Sequence, residues 1–157
     1  MKKIVVLSDT HKNLKAISSI LQIMEESDMV VHLGDHYSDM DIFAPILKDK
    51  LYRVHGNCDC GSQKEIVIEV EGHRLYATHG DLFGAKRGTS RLVERAKEEG
   101  CDIVLYGHSH SAVVKEENGI TVINPGTMER YAPMKSFCYL VINGEKVVAA
   151  INDNIER

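Results

Sequence analysis

The sequence contains no tryptophan, and its other aromatic residues are few, with six tyrosines and three phenylalanines among 157 residues. It offers no evident platform on which nucleobases would stack, so nucleotide specificity is not predicted. Positive charge is also scarce, because 19 Lys and Arg residues are outweighed by 23 Asp and Glu residues, a formal net charge of −4. We therefore expect no general nucleic-acid binding and no attraction to anionic membrane surfaces.

Long apolar runs and cysteine clusters are missing as well. No apolar run approaches the length of a membrane-spanning helix, and residues 4–7, which follow the N-terminal lysines, are too few for the core of a secretory signal. The four cysteines do not form two spaced pairs, so a structural zinc site is not predicted. We expect a cytoplasmic protein in a reducing compartment, with one domain over residues 1–157 and no internal repeat or linker.

Hydrophobic patterning predicts alternating strands and helices in the first half of the chain. Continuous apolar runs are typical of buried strands, and apolar residues at helical spacing predict amphipathic helices. The predicted order of strand, helix, strand, helix and strand implies parallel strands joined by right-handed crossovers. The predicted strands are 3–8, 29–33 and 51–55, and the predicted helices are 13–26, with Asn13 as N-cap, and 39–47.

The second half is richer in strands. Glu71-Gly72, Asn118-Gly119 and Asn143-Gly144 are hairpin signals, and the two Asn-Gly pairs are typical of type I′ turns. The predicted fold is α/β, with two packed mixed β-sheets flanked by helices. The further predicted strands are Glu65–Val70, His73–Thr78 and 102–106, and one more helix is predicted at about 88–99.

Five short polar segments each follow a predicted strand. Ligands of α/β proteins gather beyond the carboxyl ends of the strands, so we expect these five segments to converge on one site. The segments are Asp9-Thr10-His11, Gly34-Asp35, Gly56-Asn57-Cys58-Asp59, Thr78-His79-Gly80-Asp81 and Gly107-His108-Ser109-His110.

The residue types in these segments suit divalent metals. Carboxylates and imidazoles bind Mn, Fe, Zn or Ni, and an Asn amide oxygen is a harder, neutral ligand. A lone His at a strand end is more often structural, and Asp or Asn beside Gly is often turn chemistry. Only the ordered set predicts a metal centre. Its members exceed the needs of one tetrahedral ion and suit two ions, with Asp35 as the natural anionic bridge between them.

This set resembles the calcineurin-like metallophosphoesterases, whose pattern is Asp-x-His, Gly-Asp, Gly-Asn-His-Asp/Glu, a later His and Gly-His-x-His. The resemblance covers residues 8–127, including an Asn-Pro-Gly-Thr turn, and the small size looks like the compact bacterial and archaeal phosphodiesterase branch. It implies a four-layer αββα sandwich with two divalent ions, Mn²⁺ first and Ni²⁺, Fe²⁺, Zn²⁺ or Mg²⁺ as alternatives. It implies that Asp9, His11 and His110 bind one ion, that Asn57, His79 and His108 bind the other, and that Asp35 bridges them.

The resemblance also implies a reaction. A hydroxide that bridges the two ions would attack a phosphodiester in line with the leaving group, with Asp35, Asn57 and His108 as catalytic residues. The expected partner is a small phosphoester substrate, and family analogy implies a homodimer or higher homo-oligomer.

Cys58 departs from the common family pattern, because it stands where a catalytic His usually follows the Asn. That His is thought to protonate the leaving group, which a thiol does poorly, so we expect activated aryl esters to be better substrates than alkyl esters. The compact branch itself often resembles Gly-Asn-Cys-Asp. The favoured interpretation of Cys58 is a small buried residue that fills a turn; a thiolate that binds metal or attacks phosphorus is the alternative.

Several neighbouring polar residues carry two interpretations. His36 is either a substitute proton donor or a solvated loop residue. Asp59 has no clear role without the His that it usually orients, and capping its turn is an equal alternative. Asp81 either fixes a ligand imidazole or caps its loop. His32 and His55 are predicted to be structural, and His73 is predicted to be exposed.

Three other functions remain open at this point. A phosphomonoesterase or a nucleotide pyrophosphatase would use the same centre, and a loop aromatic such as Tyr37 would then serve a base. A non-catalytic scaffold is the third, because the family includes the retromer scaffold subunit, whose metal site is degraded. All seven ligand positions are intact in this sequence, which favours an enzyme.

Overall fold

Two five-stranded β-sheets form the centre of the structure, a computed structural model that describes residues 1–155. The predicted strands recur within two residues of their expected ends. The strands are β1 Lys2–Leu7, β2 Met29–His32, β3 Leu51–Arg53, β4 Glu65–Val70, β5 His73–Thr78, β6 Ile103–Leu105, β7 Val113–Glu117, β8 Ile120–Asn124, β9 Phe137–Asn143 and β10 Lys146–Asn152. The α-helices are α1 Leu14–Ser19, α2 Leu21–Glu26, α3 Ala44–Leu47 and α4 Ser90–Glu98.

Both sheets are mixed, as predicted. The first has the order β10-β9-β1-β2-β3, with β1, β2 and β3 parallel and β9 antiparallel to its two neighbours. The second has the order β4-β5-β6-β8-β7, with a parallel centre of β5, β6 and β8 and an antiparallel strand at each edge. Each sheet therefore sends the carboxyl ends of several parallel strands to one edge.

The apolar strands are buried on both faces. In β1, Ile4 and Val6 pack into the core between the two sheets, whereas Val5 and Leu7 pack in the core beneath the outer helices. On the second sheet, Tyr76 and Val104 turn outward into a core that includes residues of α4. The result is four layers, helix, sheet, sheet and helix, which is the predicted architecture.

Two predicted helices are shorter than expected. Residues 13–26 form α1 and α2, separated at Ile20, because the hydroxyl of Ser19 bonds back to the carbonyl of Ala16 at 2.6 Å and the backbone breaks there. Asn13 caps α1 as predicted, accepting from the N–H of Ala16 at 3.2 Å.

The predicted helix 39–47 is also wrong over its first half. The chain forms a 3-10 turn at Tyr37–Met40, and only Ala44–Leu47 is α-helical. The reason is tertiary, since the carboxylate of Asp39 accepts from the Thr10 hydroxyl and from the N–H of Lys12. Pro45 lies in the first turn of α3, where its missing N–H costs nothing.

The hairpin turns follow their sequences with one correction. Both central residues of Glu71-Gly72 and of Asn118-Gly119 have positive φ, as a type I′ turn requires. At the third hairpin Asn143 pairs with Lys146, so the central residues are Gly144 and Glu145. Only Gly144 has positive φ, which is typical of type II′ rather than the predicted type I′.

His73 is not exposed as predicted. Its Nδ1 lies 2.5 Å from a carboxylate oxygen of Asp102, and its Nε2 donates to the carbonyl of Gly144 at 2.7 Å. The side chain is mostly buried because the β9–β10 turn packs against the start of β5, a contact between sequence-distant segments.

Within residues 1–155, the helices are too short and too polar to cross a membrane.

His32 is buried at the end of β2 and is structural, as predicted. Its Nδ1 accepts from the N–H of Gly34 at 3.1 Å, so Nε2 carries the proton of the neutral ring and faces the Thr10 hydroxyl at 3.0 Å. That hydroxyl donates to Asp39 at 2.6 Å. The chain of bonds joins β2 to the loops after β1 and β2.

The buried His32 predicts a pH-dependent stability. Burial lowers the pKa of His32 to about 4, below the ordinary value of 6.5. Between these two pH values the unfolded chain is protonated at His32 and the folded protein is not. The contribution of His32 is fully present above pH 6.5 and is lost as the pH falls toward 4, a loss of about 3 kcal/mol in total. Urea unfolding of wild type and His32→Gln with chelator present, at pH 7 and pH 4.5, measures it. We expect a shallower pH dependence in the variant, and equal dependence would contradict the assignment.

Candidate metal centre

The polar segments after the strands converge where the carboxyl ends of both sheets meet. The first sheet contributes the loops after β1, β2 and β3, and the second contributes the loops after β5 and β6. Because two sheets are involved, the convergence needs their face-to-face packing as well as the parallel strands within each. The predicted ligands lie at these loops as follows: Asp9 and His11 after β1, Asp35 after β2, Asn57 after β3, His79 after β5, and His108 and His110 after β6.

One group of ligand atoms consists of Asp9, His11 and His110. One atom from each of these residues lies within 4.8 Å of the others. The Oδ1 atom of Asp9 lies 3.2 Å from Nε2 of His110 and 3.9 Å from Nε2 of His11. A carboxylate and two imidazoles at such distances form a donor set for a divalent transition metal.

A second group consists of Asp35, His79 and His108, again within 4.8 Å of one another. Nε2 of His79 lies 3.4 Å from Oδ1 of Asp35 and 3.2 Å from Nδ1 of His108. Nδ1 of His79 donates to the carbonyl of Leu33 at 2.8 Å, which fixes the ring and directs Nε2 at the site.

The two groups adjoin through Asp35. Its Oδ2 lies 3.8 Å from Nε2 of His11 in the first group, while its Oδ1 faces His79 in the second. Asp9 and His79 also approach across the boundary, at 3.8 Å. The position of Asp35, with one oxygen toward each group, is the one that a bridging carboxylate requires.

Two buried atoms in the centre lack a hydrogen-bond partner among residues 1–155. They are Oδ1 of Asp9 and Nε2 of His11. The other oxygen of Asp9, Oδ2, accepts from the Ser8 hydroxyl and from the N–H of His108 at 3.1 Å. In Asp9, only the oxygen that faces the histidines therefore lacks a hydrogen-bond donor. An unpartnered buried polar group costs about 1–3 kcal/mol. A bound cation would satisfy both atoms, so the residues present fit a metal.

Left-handed backbone conformations concentrate at the same place. Five of the seven predicted ligands have positive φ: Asp9, His11, Asp35, His108 and His110. A non-glycine residue in this region is uncommon and costs roughly 1 kcal/mol or more. Such strain persists where the surroundings enforce it, and it clusters at functional sites. In this structure the left-handed residues lie in the loops that follow β1, β2 and β6, where the ligands converge.

Two glycines leave room for the buried carboxylates. A β-carbon on Gly56 would collide with Oδ1 of Asp35, and one on Gly107 would collide with the Ser8 hydroxyl and with Oδ2 of Asp9. Each of these positions must therefore be glycine, because a predicted ligand from another segment, Asp35 or Asp9, lies too close for a β-carbon.

Asp59 holds the loops after β2 and β3 together. Its carboxylate accepts from three backbone N–H groups, those of Asp35 at 2.9 Å, Gly56 at 2.8 Å and Tyr37 at 2.9 Å. Three such bonds to a charged acceptor cap the turn strongly. Of the two interpretations of Asp59, the turn cap is the one that the structure bears out.

Cys58 is exposed, so its interpretation as a buried turn filler is wrong. The turn is held by Asp59 and by the N–H of Cys58, which donates to Oδ1 of Asp35 at 3.0 Å, and these bonds do not require burial of the thiol. Partial desolvation and the nearby carboxylate of Asp35 raise the pKa of the Cys58 thiol above its ordinary value. Without a metal ion the thiolate is therefore disfavoured near neutral pH, which weakens the nucleophile alternative.

The remaining predicted residues lie at the rim. Asn57 is exposed on the turn after β3, with its Nδ2 3.8 Å from the Cys58 sulfur. His36 is half-buried, and its ring meets that of His11 edge-on at 5.0 Å, so it borders the centre and is not a fully solvated residue. Asp81 begins a 3-10 turn, and the orienting partner of His79 is the Leu33 carbonyl instead.

Burial and neighbouring charges set the protonation of the centre. Burial favours a neutral Asp35, but bonds from His79 and from the Cys58 N–H outweigh it and hold the pKa of Asp35 well below its usual range. The Asp9 carboxylate raises the pKa of His110. Burial, together with His79, lowers the pKa of His108. The centre thus combines an ionised Asp35 with two imidazoles whose pKa values are shifted in opposite directions.

Residues that support the centre were missed by sequence reasoning. The Thr127 hydroxyl donates to the carbonyl of Asp9 at 2.8 Å, and Nδ2 of Asn124 donates to the carbonyl of Gly107 at 3.2 Å. Glu129 lies 3.5 Å from Nδ1 of His110. The Asn-Pro-Gly-Thr turn was the available signal for Thr127 and Asn124.

Tyr37, suggested as a base-stacking aromatic, instead stacks on the ring of His55 with the centroids 4.1 Å apart. The Arg53 guanidinium lies over the Tyr37 ring as well.

Known proteins are similar to this chain in sequence and in fold. A probable metallophosphoesterase of Bacillus subtilis, YsnB, is 28% identical over 151 residues, covering 94% of this chain and 88% of that protein. The phosphodiesterase MJ0936 of Methanocaldococcus jannaschii is 28% identical over 144 residues, covering 79% and 82%. Wild-type Vps29 of Entamoeba histolytica, solved with Zn²⁺, superposes with a TM-score of 0.77 at 20% identity, covering 96% and 98% of the two chains; this likeness concerns the fold.

The family model of the calcineurin-like phosphoesterase superfamily domain matches residues 1–146, which include all seven predicted ligands. The match spans both sheets up to the first residue of β10. With its four-layer fold and its two adjoining groups of metal-ligand residues, the chain belongs to the calcineurin-like phosphoesterase superfamily.

Proposed function

We propose that this metal-dependent phosphoesterase hydrolyses phosphodiesters with two divalent ions, Mn²⁺ being the first expectation. The observation that carries the proposal is the pair of adjoining ligand groups with one Asp35 oxygen toward each. The proposed ligands are Asp9, His11 and His110 for one ion, Asn57, His79 and His108 for the other, and Asp35 for both.

When bound, two such ions supply a hydroxide nucleophile near neutral pH and neutralise the charge of the phosphoryl oxygens. The protein's part is to hold the ligands rigidly. Asp35 keeps both groups together, and its own position is fixed by the N–H of Cys58 and by Asp59. Asn57 and His108 lie toward the solvent side, where a substrate phosphate would arrive, and we assign them catalytic roles beside Asp35.

The proposed substrate is a diester, a choice that does not follow from the charge around the site. Glu129 adds a carboxylate 3.5 Å from the ligand His110, but two bound divalent ions would outweigh this charge. The similarity to a protein named as a phosphodiesterase, MJ0936, supports the choice of a diester.

A binding scaffold on the same fold is the second candidate. The likeness to Vps29 solved with Zn²⁺ favours it, because that protein has this fold and is described as a zinc complex, with no reaction named. Metal binding by itself therefore does not distinguish the two candidates, and hydrolysis must be measured.

Hydrolysis by protein of known metal content is the experiment that tests the proposal. Chelator-treated protein reloaded with Mn²⁺ is expected to hold two ions per chain and to hydrolyse bis(p-nitrophenyl) phosphate. Metal analysis and a screen of mono-, di- and cyclic phosphoesters measure both properties. Two bound ions without hydrolysis of any phosphoester would favour the scaffold, and faster hydrolysis of monoesters would contradict diester preference.

Asp35→Asn tests the bridge. The change keeps the side-chain shape but removes the anion between two cations, so we expect loss of at least one ion and a fall in kcat/KM of about 10³-fold or more. The matched control is Asp41→Asn, which alters an exposed carboxylate paired with Arg53 outside the centre. Circular dichroism checks that both variants fold. Full metal content and activity in Asp35→Asn would show that the bridge assignment is wrong.

Cys58→His tests the missing acid. The exposed position accepts the larger ring, and an imidazolium near the leaving oxygen protonates it better than a thiol does. We expect kcat for alkyl esters to rise toward that for aryl esters, so that a plot of rate against leaving-group pKa becomes flatter. Cys58→Ser is the control and should keep the wild-type slope. A flat wild-type plot, with chemistry limiting turnover, would contradict this account of Cys58.

A further inference from the structure

A cleft opens beside the metal centre and begins at the ligand His110. Its volume is about 550 Å³, within the range of sites that hold small organic molecules. The cleft adjoins the first ligand group directly, because His110 belongs to both. Its lining includes His110, Ala112, Glu129, Tyr131, Pro133 and Met134.

Two of the residues that line the cleft have large side chains that are exposed. Tyr131 is 87% exposed and Met134 is 48% exposed. An aromatic ring and a thioether at the mouth of a cleft are a suitable surface for a planar apolar group, because aromatic pairs and sulfur–aromatic contacts add to the gain from apolar burial.

The loop that carries Tyr131 and Met134 is hydrogen-bonded to the metal centre near its start, although these two side chains are exposed. The carbonyl of Asp9 accepts from the Thr127 hydroxyl at 2.8 Å and from the N–H of Met128 at 3.3 Å. The N–H of Ser136 closes the loop by donating to the carbonyl of Thr127 at 3.0 Å. The cleft therefore keeps its position relative to the ligand Asp9, as a substrate subsite must.

Charge limits what the cleft accepts. Glu129 stands at its junction with the metal centre, beside His110. A further phosphate or carboxylate on the bound group would meet this anion, whereas an uncharged ring would not. Occupants with a second negative charge are therefore disfavoured.

We infer that the cleft binds an uncharged aromatic ester group of the substrate, with the Tyr131 ring as its contact surface, so that aryl phosphodiesters are the preferred class. This inference rests on the proposed function, since it requires a phosphate at the adjacent centre. The loop 127–136 would then contact the apolar part of the substrate, and the phosphate would lie at the metal centre.

Binding of phosphonates tests the inference without turnover. Zinc-loaded protein is titrated with phenylphosphonate and with methylphosphonate by calorimetry, because the two share the anionic group and differ in the ring. We expect phenylphosphonate to bind about tenfold more tightly to wild type. Tyr131→Ala should remove most of that preference and leave methylphosphonate affinity unchanged, whereas Tyr131→Phe should keep the preference.

A second variant and an NMR readout complete the experiment. Ala112→Leu adds bulk to another lining residue of the cleft and should weaken phenylphosphonate binding alone, and phenylphosphonate should shift the amide signals of Tyr131 and Met134. Equal affinity for the two phosphonates, or a preference that survives Tyr131→Ala, would overturn the inference and leave the metal centre standing. Failure of either phosphonate to bind protein that holds two zinc ions would overturn the proposed function together with the inference.

Discussion

Two buried carboxylates, those of Asp9 and Asp35, lie at the junction of the two sheets, and the arrangement around them follows from their need for positive charge. One oxygen of Asp9 has no hydrogen-bond partner among residues 1–155, and both side chains face imidazole nitrogens at 3.2–3.9 Å. Buried anions side by side are costly unless they are paired or bind metal. The centre therefore suits cations, and Oδ1 of Asp9 and Nε2 of His11 have no hydrogen bond among residues 1–155 that would compete with them.

Rigidity at this centre comes from backbone bonds more than from side-chain packing. Asp59 binds three N–H groups from two loops, and the carbonyl of Asp9 holds the loop that carries Thr127. These bonds offset the strain of left-handed residues directly after the strands. Ligands that are held before metal arrives lose less conformational entropy when it binds, which favours a defined geometry over an adaptable one.

In the proposed function, reaction and selectivity are divided between different parts of the fold. The ligands come from strand ends, which two packed sheets keep in place, whereas the apolar cleft belongs to the exposed loop 127–136. Loops tolerate sequence change more readily than strand ends do. If the cleft binds the ester group as inferred above, substitution of the exposed Tyr131 would change substrate preference and leave the metal ligands in place.

The sequence by itself determined the strands, the αββα layers and the ligand types, because buried strands need continuous apolar residues and metals need particular donor atoms. It did not reveal the break at Ile20, the partner of His73 or the exposure of Cys58. The break at Ile20 depends on one local bond from the Ser19 hydroxyl to the carbonyl of Ala16, which the apolar spacing does not encode. The surroundings of His73 and Cys58 depend on contacts between segments far apart in the chain, which local propensity does not contain. Tertiary structure alone decided that the strand ends of two separate sheets meet, since only their face-to-face packing brings Asp35 within reach of His79.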